Sequence, residues 1–488
     1  MLLTDDLLLN YKRCQRRAFL NVYGNSLEKD RENEFLWKLR EENNRQIALF
    51  LDRLPEFYEP KSPISDWLNR SRQTEALMQR GVDYIYNGIL LNCGFQDWML
   101  PLENLAGDRI NLVGVPTLLI KREGESKFGN WLYQPANIKL GRNPKPEYKI
   151  IAAFHAQLLA SIQEVMPESA LLILRQQNQY EVNLQHWLDR MREMVSNSID
   201  MLLKRKEPEV FISRQRCSLC HWYSHCYNIA QSQQHLSLVP GVTPTRYEQL
   251  IALGLATIES IAAACASNMG ESIGMEIASQ LKLQAQSLLD NRAILKNSND
   301  RSNPIPTAKK ELYFDIEAEP ERNLDYLLGV LLVDRQANTE EFYAFLAEKP
   351  EDEGKIWEHF LALVELYADA PIFHFSEYEV ETIKRLAQLY ETPKHKVEVL
   401  LPRFVDLHKQ VVSSVTLPVE SYSLKSIANW LGFEWRERGV SGEQSVCWYD
   451  RWLKTGDRTS LESILRYNED DCRATYHLKE WLVEFLSN

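Results

Sequence analysis

The stretch RCSLCHWYSHC, Arg216–Cys226, constrains this chain more than any other. It sets Cys217, Cys220 and Cys226 in a C-x2-C-x5-C spacing. Three thiolates this close in sequence can face one metal centre, and such a centre takes four ligands. The remaining ligand must come from elsewhere, and Cys14, in LLNYKRCQRRAFLNVYG, is the candidate. A centre shared by Cys14 and the three later thiolates would staple the two ends of the first half of the chain. Zinc is one metal for it, with His221 and His225 as substitutes for a missing thiolate. Three unrelated buried cysteines are the plainer alternative, which the tight spacing disfavours. Cys93, Cys265, Cys447 and Cys472 read as ordinary small core residues.

A chain of 488 residues exceeds one ordinary core, so two or three domains are expected. Residues 1–232 read as a first mixed unit. NEFLWKLREENNRQIALFLDRL, PEYKIIAAFHAQLLASIQEV and HWLDRMREMVSNSIDMLLKR have helical periodicity. Residues 233–300 read as a helical spacer. Within it PGVTPTRYEQLIALGLATIESIAAA resembles a helix-hairpin-helix unit, which holds phosphate through backbone N–H groups. KNSNDRSNPIPTAKK, Lys296–Lys310, reads as a linker. Residues 308–488 then form an α/β domain, with strand-like runs LYFDIEAE, LLGVLLVD and EEFYAFLAE. The N-terminus MLLTDDLLLNYKRC is acidic and is not a signal peptide, and no apolar run would span a bilayer. The protein reads as cytoplasmic, a compartment in which disulfides are not expected. A net charge of −12 argues against indiscriminate coating of DNA. Basic clusters such as YKRCQRR and KLGRNPKPEYK still permit a local channel.

GVPTLLIKREGESKFGNWLYQPANIKLG, Gly114–Gly141, reads as a β-hairpin around a polar turn. Its second strand runs into Lys139. A metal-dependent nuclease core built on such a hairpin needs a carboxylate on each strand. Those positions hold Thr117 and Asn137, which bring no charge. Either this site is impaired or a carboxylate has migrated to it, Glu147 and Glu41 being the candidates.

The second half is richer in acids. Asp315 and Glu317 lie two apart on a predicted strand, so both point to one face. SLESILRYNEDDCRATYHLKEWL reads as a helix with Tyr467 and Asp471 four apart on one face. Asp470 is expected at the surface. PIFHFSEYEVETIKRLAQLY reads as a strand entering a helix, with Glu379 near the helix start. His374 is expected to be a core or substrate-lining residue. Trp430, Trp435 and Trp448 are either core residues or stacking surfaces for bases.

Two family resemblances follow from these residues. Cys14 with Cys217, Cys220 and Cys226 resembles the pattern of the iron–sulfur RecB-like PD-(D/E)xK nucleases, the group that includes the AddB chain. The resemblance implies a restriction-endonuclease-like α/β core stapled by a 4Fe–4S cluster on those four cysteines. Against the family's G-x-x-D, (D/E)-x-K and Q-x-x-x-Y, only Gly114 and Lys139 match, while Ile151 and His155 stand at the helix positions. It implies a catalytic role for Lys139 in a site whose metal ligands are gone, leaving a nucleic-acid-binding platform. Asp315, Glu317, Glu379, Tyr467 and Asp471, with FVDLHK and SLKSIANWLGF, resemble the YprB-like branch of the DnaQ-like DEDD exonucleases of the ribonuclease H fold. That implies a 3′→5′ exonuclease using Mg²⁺ or Mn²⁺. Asp315, Glu317, Glu379 and Asp471 would hold the metals and Tyr467 would orient the attacking water. Glu379 departs from the family, which has Asp there. The combination resembles the bacterial RecB-like nucleases that carry a C-terminal ribonuclease H-like domain. The substrate expected is nucleic acid, DNA or RNA. The competing expectation is a non-enzymatic iron–sulfur adaptor that binds nucleic acid.

Overall fold

The computed structural model describes residues 2–92, 110–296, 305–437 and 439–487. The chain divides into two compact units, Met1–Ile229 and Ala230–Asn488. Cys93 and most of the expected linker, residues 297–304, lie outside the described residues. Among those described, no helix is long and apolar enough to cross a membrane.

The first unit is built on a five-stranded sheet in the order Tyr84–Tyr86, Leu118–Ser126, Gly129–Ile138, Ser169–Ile173, Gln179–Asn183. The hairpin is present, but its turn is shorter than the polar run suggests. Lys121–Glu125 continue the first strand, and the ladder is irregular only between Glu123 and Ser126. The helix Pro146–Gln163 carries the chain across to Ser169–Ile173, which pairs parallel to the second hairpin strand. Alternation gives the sheet two apolar faces. Leu119 and Tyr133 pack with Phe154 and Leu158 of that helix. Leu118, Ile120, Ala136 and Ile138 face Ile47 and Leu51 of the helix Glu34–Leu51. A second, three-stranded sheet pairs Leu2–Thr4 parallel to Asn111–Gly114. It delivers the start of the helix Asp5–Arg13, capped by Thr4 Oγ1 accepting from Leu7 N, to the mouth of the hairpin.

In the second unit the stretch expected as a spacer has its own apolar core of Leu236, Leu250, Ile261, Met269, Leu281 and Ala285. It is fixed to the domain that follows. Ile294–Leu295 pairs antiparallel with Val415–Thr416. The Gln284 amide donates to Leu417 O and accepts from the Tyr422 hydroxyl.

The C-terminal domain is a five-stranded sheet in the order Thr339–Leu346, Leu324–Asp334, Lys310–Glu319, Ile372–His374, Phe404–Asp406. The first three strands form an antiparallel meander and the last two join in parallel. Lys310–Glu319 is therefore the central strand, covered on both faces. Leu312, Phe314 and Ile316 pack on Ile356, Trp357 and Phe360 of the helix Glu353–Leu366. The opposite set, Glu311, Tyr313, Asp315 and Glu317, faces the long helix Arg458–Ser487. The two elements are joined by the buried pair Lys479–Glu311, 3.0 Å apart. Tyr313 donates to the same carboxylate at 2.7 Å.

Candidate metal-dependent active site

The central strand and the long helix bring three acids together. One carboxylate oxygen each from Asp315, Glu317 and Asp471 lies within 4.8 Å of the others. Among the described residues this is the one His/Cys/Asp/Glu set so closely spaced. Burial pushes the Asp315 carboxyl well above its ordinary range, and the charges of Asp471, Glu317 and Glu379 push it further. Burial and Asp471 do the same to Glu317. Asp471 is raised by burial to about 7, against hydrogen bonds from Trp435 and Tyr467 and the charge of Lys425. Crowded, partly desolvated acids that repel one another and offer hard oxygen donors fit a divalent cation such as Mg²⁺ or Mn²⁺.

The three acids are held by neighbours that sequence reasoning passed over. The Asn468 amide donates to Asp315 Oδ2 at 2.7 Å. A side chain at Gly329, opposite Asp315 in the ladder, would collide with Asn468. Ser445 hydrogen-bonds Glu317 and is itself tied to the Tyr326 hydroxyl at 2.7 Å.

Glu379 is buried in the first turn of the helix Tyr378–Leu389. Its charge reaches Asp315. Ser376 Oγ donates to its carboxylate at 2.9 Å, from a backbone with φ of 141°. A non-glycine residue in that region is strained, and here the strain turns the hydroxyl onto the acid. His374 is buried with Nδ1 3.5 Å from Glu379 and without a hydrogen-bond partner.

Tyr467 lies one turn before Asp471 and donates to it, and burial raises its hydroxyl pKa. Trp435 is buried, and its indole N–H donates to Asp471 Oδ1 at 2.8 Å. Trp430 and Trp448 are half-buried. Asp470 corrects an expectation: it is buried rather than at the surface. It accepts from Arg436 N at 2.9 Å and Arg436 Nε at 2.8 Å. These bonds pin the segment that carries Trp435 onto the long helix. Cys265 is a second correction, exposed rather than in a core; Cys447 and Cys472 are buried.

The hairpin of the first unit holds a different arrangement. Thr117 Oγ1 accepts from Ile138 N at 3.2 Å, which closes the mouth of the hairpin. Asn137 is buried, with its amide nitrogen unpartnered. Ile151 is core. His155 is buried and lies 2.7 Å from Asp5 Oδ2, which also accepts from Val115 N at 2.9 Å. Gly114 is explained by this pair, because a Cβ there would meet the His155 ring at 2.7 Å. Burial lowers the Lys139 ammonium pKa, and the charges of Asp5 and Asp6 oppose this. No sequence signal links Asp5 to a position 110 residues later. The parallel pairing of Leu2–Thr4 with Asn111–Gly114 makes that link.

Cys14 caps the helix Gln15–Tyr23, its sulfur accepting from Arg17 N at 3.4 Å. Cys217 accepts from Ser213 N at 3.4 Å, and Cys226 from the Arg16 side chain. Burial raises the thiol pKa values of Cys217, Cys220 and Cys226, the last to about 11, and the charge of Cys14 adds to each. No three of the sulfurs lie within 4.8 Å of one another. This spacing therefore lends no support to a shared metal centre on them, whether zinc or a 4Fe–4S cluster.

Residues 312–483 match the family model of the RNase H superfamily. No curated protein matches the chain. The C-terminal region, with its acids on the central strand and the facing helix, is an RNase H-like domain.

Proposed function

We propose that this chain is a metal-dependent nuclease whose chemistry lies in the RNase H-like domain. The observation that carries the reading is the convergence of Asp315, Glu317 and Asp471, Glu317 buried and the two aspartates half-buried, all mutually repelling, in a domain similar to nucleic-acid hydrolases. Two Mg²⁺ or Mn²⁺ ions, when bound, would stabilise the attacking and leaving oxygens of a phosphodiester. Asp315, Glu317 and Asp471 would hold them, with Asp315 shared and Glu379 serving the second. The Tyr467 hydroxyl, held beside Asp471, would orient the attacking water. With these five residues the reaction is of the DEDD, 3′→5′ exonuclease type.

The first unit is read as a nucleic-acid-binding platform on a RecB-like core that has lost its own catalysis. Thr117 and Asn137 supply no charge, and Asp5 is engaged with His155 and Val115. We read Cys14, Cys217, Cys220 and Cys226 as the ligands of a 4Fe–4S cluster. The C-x2-C-x5-C spacing, with Cys14 as the fourth thiol, is what supports this reading. The domain limits of this reading are 1–232, 233–300 and 308–488.

The test is cleavage of 5′-labelled single-stranded DNA and RNA with Mn²⁺ by anaerobically purified protein, beside Asp315→Ala and Lys139→Ala. Stepwise shortening lost only in Asp315→Ala is the expected result. Loss only in Lys139→Ala would return the chemistry to the hairpin. Binding without cleavage by any form would make the chain an adaptor.

A further inference from the structure

Asp315, Glu317, Glu379 and Asp471 bring four negative charges, which two divalent ions balance. A phosphodiester adds another, and more develops on its oxygens in the transition state. A site of this composition needs a cation free to meet the phosphate. Most basic side chains around the long helix are committed to acids. Arg436 pairs with Glu469 and Asp470. Arg466 pairs with Glu437, and Arg473 with Glu340 and Glu469. Lys479 pairs with Glu311. Arg385, on the helix of Glu379, pairs with Asp325 and Glu353.

Lys425 differs. It sits in the first turn of the helix Leu424–Trp430 and donates to a neutral acceptor, the Val440 carbonyl. Its ammonium stands 5.4 Å from the centre of the Trp435 ring and 5.8 Å from that of Tyr467. Those are the two residues that hydrogen-bond Asp471. Lys425 is half-buried between these two rings, whose faces attract its charge.

We propose that Lys425 is a catalytic residue, its ammonium contacting the phosphate of the nucleic acid being hydrolysed and offsetting the charge that develops there. The inference rests on the metal-site reading above. On this view the Val440 carbonyl is the resting partner, exchanged for a phosphate oxygen when substrate enters. Lysine suits the exchange, since it carries a compact charge on a flexible stem.

The experiment compares wild type, Lys425→Met, Lys425→Arg and Asp315→Asn. Cleavage of labelled single-stranded DNA and RNA is followed with Mn²⁺. Binding of the same oligonucleotides is measured with Ca²⁺ in place of Mn²⁺, and Mn²⁺ binding by calorimetry. Lys425→Met should lower kcat about 100-fold and weaken oligonucleotide binding in Ca²⁺, while Mn²⁺ affinity is kept. Lys425→Arg should recover part of both losses. Cleavage lost in Asp315→Asn but intact in Lys425→Met overturns the role of Lys425 alone. A fall in Mn²⁺ affinity that matches the fall in kcat overturns it too, leaving Lys425 as a tether of the Trp435 segment. Cleavage that survives Asp315→Asn overturns the metal site and this role with it.

Discussion

Asn468 occupies the space that a side chain at Gly329 would fill, and from there its amide holds Asp315 Oδ2 at 2.7 Å. The acid, the amide and the missing side chain form one unit across two strands and a helix. Gly329→Ala should therefore behave as a metal-site mutation, although Gly329 touches no metal. The added methyl displaces the amide and costs about 1–3 kcal/mol of stability. Freed of its donor, Asp315 should bind Mn²⁺ about 10–100-fold more weakly. Calorimetric Mn²⁺ titration of Gly329→Ala beside Asn468→Ala checks this. The two single variants and their double should lose similar affinity if the unit is shared.

The clustered acids set the pH response of the metal-free protein. Asp471 is raised to about 7, and Asp315 and Glu317 are also raised. A carboxyl whose folded pKa is raised costs stability once the pH exceeds its unfolded value, and the cost is complete above the folded one. The thermal midpoint in chelator should fall as the pH climbs from the ordinary carboxylate range to above 7. Mn²⁺ should reverse the fall, with apparent affinity rising over the same window as protons are released. Asp471→Asn in chelator at pH 8 should raise the midpoint by roughly 2–4 °C for each kcal/mol relieved. A midpoint that does not depend on pH would contradict the raised values.

Much of the catalytic half was legible because its signals are local. Period two places Asp315 with Glu317, and a four-residue helical step places Tyr467 with Asp471. The hairpin and the principal helices followed from periodicity in the same way. Asn468, Gly329 and Lys425 were not legible as site residues, and Trp435 was legible only as a core residue or a stacking surface for bases. Their roles depend on which strand lies opposite and which loop folds back, and neither leaves a local pattern. Cys265 read as core because cysteine is commonly buried, yet it sits exposed in the extended residue just before the helix Ala266–Ile273.

Asp470 shows the same limit. In isolation it is the acid beside the ligand, turned away from it. In the fold it anchors Arg436 through two hydrogen bonds and so fixes the Trp435 indole on Asp471. Asp470→Ala should cost about 1–3 kcal/mol, since it removes a buried carboxylate that accepts from the Arg436 amide and guanidinium. It should also lower Mn²⁺ affinity, though less than Asp471→Ala. Trp435 fluorescence should report the release as a red shift. An unchanged spectrum with unchanged metal binding would mean that the segment is held by other means.

The pair Lys479–Glu311 fixes the long helix to the central strand beneath the metal site. Both side chains are almost fully buried. Removing either partner alone leaves a buried charge with only its second partner, Glu480 for Lys479 and Arg335 for Glu311, so Lys479→Met and Glu311→Leu should each cost up to about 3–5 kcal/mol. Arg335, which also pairs with Glu311, would soften the first loss. The double variant should be closer to wild type than either single one. Denaturant unfolding of the three variants measures the coupling directly, and additive losses would contradict a shared buried pair.

In the first unit, Asp5 closes the hairpin mouth against His155. Burial alone would raise its pKa, but the His155 hydrogen bond and charge, Val115 N–H and Lys139 together leave it lowered. A carboxyl depressed by folding adds stability that is present above its unfolded value and is lost as the pH falls through the folded one. Asp5→Asn should thus weaken the first unit near neutral pH by about 1–3 kcal/mol, and the gap to wild type should close in acid below the ordinary carboxylate range. Hydrogen exchange in Pro146–Gln163, the helix that carries His155, localises the effect. Faster exchange in Asp5→Asn at pH 7 that converges with wild type below pH ~4 is the expected outcome. Equal exchange at both pH values would mean the pair adds nothing, and the hairpin mouth would then be held by Thr117 and the packing around Gly114.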